Sequence, residues 1–305
     1  MERTMREASA FAPGHLTGFF QICDEPGDPL MKGSKGAGFS ITLGVSTKVK
    51  VEPSERNSVI ISINGDVTCE AEVSENVARK MLSVSDESHR IWVEHHIQTP
   101  IGAGFGSSGG GALSLALALN EALELGLSRI EAARVAHVAE IECRTGLGTV
   151  LAELSGGFGV TVRPGAPGIG ETVRFRHCGL SVVCLSFGPI HTKEALSDPE
   201  LRRRINELGG RFVDELHRDQ SPDMFMRLSR RFSEHVGLIT PQLRAVLERT
   251  DEAGILCTMG MFGEVVFSLL ESEQAGRLAE TLRRAAPGHE ILIAGIEEEG
   301  AHLTS

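Results

Sequence analysis

Between Ile97 and Asn120 the chain runs for 24 positions without Asp, Glu, Lys or Arg. That length raises the question of a membrane span. Six glycines, three hydroxyl residues and Pro100 gather toward its start and argue against one, because lipid cannot satisfy the backbone groups such residues free. What remains is a two-part element. PIGAGFGSSGG (100 to 110) is a glycine-rich loop, and it feeds SSGGGALSLALALNEALEL, a run apolar on all sides through Leu119. That pattern belongs to a helix buried inside a domain rather than lying on it.

At 305 residues the chain exceeds one typical domain, and two packed units are expected. Hydrophobic residues at 41% and charged residues at 23% give it a globular composition with a sizeable core. A formal charge of −11 excludes general nucleic-acid binding, which needs a basic stripe. The basic run Arg202 to Arg204 lies in a helical pattern and reads as a solvated face. The opening MERTMREASAF mixes acids with bases and lacks an apolar segment, so no signal peptide is visible and a cytoplasmic protein with no membrane partner is expected. The six cysteines show no CxxC spacing, and His95 and His96, adjacent in an alternating stretch, point to opposite faces. Neither a zinc site nor a disulfide framework is expected.

Residues 37 to 69 alternate apolar and polar residues and read as strands joined by the turn PSERNS. A further strand over 90 to 97 ends at Pro100. Ser128 and Glu131 form a capping box for a helix to about Glu142, with Gly126 as the break before it. Strand character returns at 157 to 163 and 181 to 187, separated by RPGAPGIG, which reads as a surface loop. Three helices then start on capping residues followed by proline: Asp198 and Pro199, Ser221 and Pro222, Thr240 and Pro241. Strands at 255 to 259, 264 to 270 and 290 to 295, with a helix at 272 to 285, complete a split βαβ sandwich. A boundary near residue 185 divides the chain into 1–185 and 186–305. No linker marks it, so a broad interface with the active site in the cleft is expected.

A strand, a glycine loop and a buried helix put successive backbone N–H groups and the positive end of a helix dipole around one small volume, which suits phosphate. Ser107 and Ser108 at the helix start can donate to phosphate oxygens or ligate magnesium. The alternative is a glycine-rich turn that merely admits close helix packing; Pro100 before the loop and the serine pair after it weigh against that. The GKS or GKT ending of a Walker A motif is absent.

PIGAGFGSSGG resembles the second signature of the GHMP kinases (galactokinase, homoserine kinase, mevalonate kinase, phosphomevalonate kinase), whose form is PxGxGLGSSAA. APGHLTGFF (12 to 20) is similar to their first motif and CTMGMFGEVV (257 to 266) to their third, in the expected order. The resemblance implies an α+β fold of two domains, an N-terminal ribosomal-protein-S5-like α/β domain and a C-terminal ferredoxin-like split βαβ domain. It implies ATP held by Pro100, Gly102, Gly104, Phe105, Gly106, Ser107, Ser108, Gly109, Gly110 and Gly260. Within the superfamily, PGHLTGFFQI (13 to 22), AHVAEIECRTGLGTV (136 to 150) and RPGAPGIG (163 to 170) resemble the archaeal branch that phosphorylates pantoate for coenzyme A assembly.

By the same resemblance Glu140 binds magnesium together with Ser108. Glu142, two positions along the helix, faces away. The family pattern reads TGLGDV where this chain reads TGLGTV, so Thr149 stands where a catalytic aspartate is expected. A threonine can orient a hydroxyl but cannot take its proton at neutral pH. Three readings stay open: transfer without a base, a nearby carboxylate such as Glu153 substituting, or a chain weakened at this step. A carboxylate-bearing acceptor needs a cationic anchor, for which Arg144 is the candidate, with His15 and Thr17 as hydrogen-bonding partners. Lys32 and Lys35 fall in MKGSKGAG, from which they could reach the cleft, although the stretch reads rather as a mobile solvated loop. A homodimer is expected.

Overall fold

In the computed structural model of the chain, residues 5–189 and 197–304 are described. The first four residues, on which the reading of the N-terminus partly rests, lie outside that range. Two long strands, β1 (Arg6–Cys23) and β2 (Gly33–Pro53), pair antiparallel along almost their whole length and form the spine of an eight-stranded sheet. Beyond β2 lie β5 (His89–Ile97), β3 (Ser58–Ile63) and β4 (Asp66–Val67), and with β12 (His302–Thr304) on the other side of β1 the order is β12-β1-β2-β5-β3-β4. The strands on either side of the PSERNS turn do not pair with each other. Strand β5 enters between them, parallel to β3 and antiparallel to β2. The connection from β3 to β5 crosses over through α1 (Glu72–Leu82), as a parallel pair requires.

Helices α1, α2 (Ser107–Ala122) and α3 (Arg129–Cys143) cover one face of this sheet. Helix α2 lies in the middle, and Ala112 through Leu119 are all buried against Ala10, Ala12, Val49 and Val93 of the sheet and against its neighbouring helices. The capping box of α3 is formed: Ser128 Oγ accepts from the Glu131 backbone while Glu131 accepts from Ser128 N–H. A short helix α4 (Thr149–Ser155) follows, then β6 (Phe158–Arg163) and β7 (Glu171–Arg174), which pair with each other and join β2 through β6. RPGAPGIG, expected at the surface, instead tucks inward. Ala166 is fully buried and its N–H donates to Leu30 O at 2.9 Å, while Arg134 holds the Pro167 carbonyl.

The second sheet has the order β11 (Ile291–Gly295), β8 (Leu180–Pro189), β10 (Gly263–Glu271), β9 (Thr258–Met259), with every neighbour antiparallel. That order, with α5 (Pro199–Arg218), α6 (Pro222–Val236) and α7 (Pro241–Glu252) between β8 and β9 and α8 (Ala275–Ala285) before β11, is the ferredoxin-like split βαβ arrangement. All three Pro-led helices carry the cap read from the sequence: Asp198, Ser221 and Thr240 each accept a backbone N–H. The two layers meet through phenylalanines. Phe19 and Phe39 of the first sheet pack on Phe212, Phe225 and Phe267 with ring centroids 5.5 to 6.1 Å apart. Such pairs add about 1 kcal/mol each beyond area burial. Strand β12 (His302–Thr304) returns to the first sheet beside β1.

Candidate active site

Strand β1 carries two register shifts, between Pro13 and Gly14 and between Thr17 and Phe19. Bulges re-aim side chains, and here His15 and Thr17 face a cleft between the two sheets. The three glycine-bearing motifs converge there by backbone bonds. His15 N–H donates to Phe105 O at 2.8 Å, tying the first motif to the loop, and Met261 N–H donates to Thr17 O at 3.1 Å, tying the third to the first.

The loop ends on Gly106, the N-cap of α2, at φ 73°. With no side chain capping α2, its first N–H groups are open to the cleft. Ser107, Ser108 and Gly109 line the same wall with Gly102 and Gly104. Of the other loop residues singled out from the sequence, Phe105 is a core side chain and Gly110 packs on Val45, while Pro100 stands outside the cleft lining. Gly260 sits behind the surface against Val265 and Leu16, and Met261 and Phe262 of that motif reach the cleft instead.

Glu140 is buried in the last turn of α3, just before Arg144 closes the helix in a left-handed conformation at φ 58°. Two hydroxyls donate to its Oε1, Ser108 Oγ at 2.5 Å and Thr145 Oγ1 at 2.6 Å. Burial pushes this carboxyl above its usual range, and the two hydrogen bonds oppose that rise. Glu142 turns away and binds Lys80 and Asn76. Thr149 opens α4 on the cleft wall, with Glu153 one turn behind it and fully buried. Burial, reinforced by Glu140, holds the Glu153 carboxyl well above the ordinary carboxylate range. His15 fits because Gly38 opposite has no side chain; a Cβ there would stand 2.5 Å from its Nε2. Burial depresses the His15 ring to about 4, so it is neutral at pH 7.

Among the described residues lining the cleft none is Lys or Arg. Arg144 is exposed and lies outside the cleft, in a neighbouring recess with Lys32, Asp24 and Arg202. Gly146 and Leu147 form the wall shared by cleft and recess. From Gly33 on, MKGSKGAG is strand β2 rather than a loop, so its side chains alternate: Ser34 and Gly36 line the cleft and Lys35 does not. Sequence reading passed over Ser34, Thr145, Thr161 and Thr172. The alternation of β2 was the available signal for Ser34.

The loop-to-helix junction and the two sheets around it are those of a GHMP kinase, and residues 71–157 match the family model described as the GHMP kinases N terminal domain. The likeness runs along the whole chain. The pantoate kinase of Thermococcus kodakarensis is 34% identical over 281 residues, 90% of this chain and 91% of that protein. The pantoate kinase of Methanocaldococcus jannaschii is 34% identical over 263 residues, 86% and 93% respectively. A solved structure described as a phosphotransferase related to the CoA biosynthesis pathway matches with a TM-score of 0.89 and 31% identity across 98% of both chains. The chain belongs to the pantoate kinase family.

Proposed function

We propose that this chain transfers the γ-phosphoryl group of ATP to the hydroxyl of pantoate, giving 4-phosphopantoate and ADP on the route to coenzyme A. Kinship with two pantoate kinases supports the acceptor. The observation that carries the transfer step is the Ser108–Glu140 pair, a hydroxyl and a carboxylate 2.5 Å apart at the open N-terminus of α2. Phosphates meet the N–H groups of residues 106 to 109 and the positive end of that helix. Gly102, Gly104, Gly106, Ser107, Ser108 and Gly109 bind the nucleotide directly; Pro100, Phe105, Gly110 and Gly260 shape the loop from behind.

A polyphosphate in a cleft whose described lining holds no Lys or Arg, and with Glu140 in its wall, calls for a cation. The donors fit magnesium, which takes one or two protein oxygens and leaves its other positions to phosphates and water. Among the described residues no group of three or more His, Cys, Asp or Glu forms a protein-only metal cage. When bound, magnesium neutralises charge on the β- and γ-phosphates. On the acceptor side, Thr149 orients the hydroxyl, and His15 and Thr17 offer uncharged hydrogen-bonding groups. Arg144, with Lys32, meets the acceptor carboxylate across the Gly146–Leu147 wall. We place the protein in the cytoplasm as a homodimer, which light scattering on the purified chain tests.

Incubation with ATP, magnesium and either pantoate, homoserine or mevalonate, followed by ADP assay, tests the reading. Release with pantoate alone is expected. Release with another acceptor would reassign the substrate, and ATP binding with no release would identify a binding protein, a reading that rests only on Thr149 standing where the family pattern has aspartate. Ser108→Ala is expected to weaken nucleotide affinity about tenfold, the worth of one charge-assisted hydrogen bond; undiminished affinity and turnover would remove its role.

A further inference from the structure

Glu153 is fully buried, and neither carboxyl oxygen has a hydrogen-bond partner among the described residues. An orphan buried polar group costs roughly 1–3 kcal/mol, more for an acid that ionises. Its helix neighbours Val150, Leu151 and Leu154 are apolar, so packing alone gives no reason for an acid there. Its position does. The carboxyl presses against the phosphate loop: a Cβ on Gly106 would stand 2.5 Å from Glu153 Oε1 and 2.8 Å from Thr149 Cγ2, and one on Gly109 would stand 2.9 Å from Glu153 Oε2. Thr149 and Glu153 are four residues apart on α4 and therefore share a face. Thr149 reaches the cleft and Glu153 does not.

We infer that Glu153 is the final proton acceptor of the transfer, reached from the acceptor hydroxyl through the hydroxyl of Thr149. The inference rests on the kinase reading above. Thr149 turns its Oγ1 toward Gly146 and its methyl toward Gly106, the glycine that Glu153 Oε1 also faces, so a χ1 rotamer that exchanges methyl and hydroxyl brings Oγ1 to the side of that carboxyl. The step balances. The acceptor oxygen forms a bond to the γ-phosphorus as the bond from that phosphorus to the β-bridging oxygen breaks. The acceptor proton passes to Thr149 Oγ1, the proton of Thr149 passes to the Glu153 carboxylate, and it leaves to water as products depart. The positive end of α2, against which the Glu153 carboxyl lies, opposes the rise that burial imposes and favours the ionised form that the step requires. Glu153 thus works through Thr149 and touches no substrate.

The test is a mutant cycle read by steady-state kinetics, nucleotide calorimetry and thermal melting. Glu153→Gln is expected to lower kcat by about 100-fold, with KM for pantoate and affinity for ATP nearly unchanged and the melting temperature at or above that of the parent chain. Thr149→Val, which removes the relay and leaves Glu153 in place, is expected to lose kcat by a similar factor. Thr149→Asp supplies a carboxylate in the cleft itself, so adding Glu153→Gln to it is expected to cost less than about threefold. A Glu153→Gln or Thr149→Val chain with the parent kcat would overturn the relay. So would a Thr149→Asp/Glu153→Gln chain that loses the full factor, since that marks a purely structural role. No ADP release by the parent chain with any acceptor would instead overturn the kinase reading, and the relay with it.

Discussion

Gly106 is where the phosphate loop becomes a helix, and two separate constraints act on it. Its φ of 73° costs an L-residue about 1 kcal/mol or more, and an added Cβ would collide with Glu153 and Thr149. Gly126 has nearly the same φ, 68°, with nothing within 4 Å of its missing Cβ. Gly126→Ala is therefore expected to lose only the conformational part, about 1 kcal/mol, and to keep full ATP affinity. Gly106→Ala is expected to lose more stability and most of the affinity; equal behaviour of the two variants in denaturant titration and calorimetry would deny the contact with Glu153. A pH effect also belongs at this scale. Burial depresses His15 and His95 from 6.5 to about 4, so both are neutral when folded. Stability from these groups is present above pH 6.5 and is lost as pH falls toward 4, at about 1.4 kcal/mol per pH unit for each ring. Unfolding free energies are expected to fall between pH 7 and 5, and His95→Gln to flatten that fall. Buried Glu140 and Glu153, with raised values, act in the opposite direction, so the histidine part is read from the difference between the parent chain and His95→Gln. Residue by residue, the loop glycines and Glu140 were legible because their chemistry is local. The position of Arg144 outside the cleft was not, because it depends on a left-handed turn that a sequence does not display.

Among the helices, those with a side-chain cap announced themselves, and α2 and α8, which lack one, were legible from their apolar pattern, whereas α1 and α4 were not. Helix α3 begins on a full capping box, and Ser128→Ala is expected to cost about 1 kcal/mol in denaturant titration with kcat unchanged, since that end of the helix lies far from Glu140. Helices α1 and α4 have no side-chain cap, on Ala71 and Gly148 respectively, and α4 is only seven residues long. Strand β1 escaped notice for a different reason. Pro13, Gly14 and Gly18 interrupt its apolar alternation, and the bulges they accompany shift the phase of the pattern midway. The irregularity that hid the strand is also what turns His15 and Thr17 into the cleft.

For the molecule as a whole, nucleotide binding and stability are linked. ATP with magnesium at about 100 times its dissociation constant is expected to stabilise the fold by about 2.7 kcal/mol, seen as a rise in melting temperature that Ser108→Ala reduces. The two-layer outline was readable from the three capped helices that follow the strand at 181 to 187, while the pairing of β3 with β5 was not, because strand order reflects long-range contacts. We propose two folding units divided near residue 185, as 1–185 and 186–305; that point falls inside β8, and limited proteolysis locates the boundary. The return of β12 bears on how they form. Ser9, Ala10 and Phe11 pair with residues 302 to 304, and Arg129 grips the carbonyl of Ala301 at 2.6 Å. On the ribosome, the sheet that β1 begins is left open along one edge until the entire second layer has emerged. Strand β1 waits for β12, made after every other strand described here, so the nucleotide cleft is expected to close only after synthesis has passed residue 304. Nascent chains arrested before that point should retain ATP poorly.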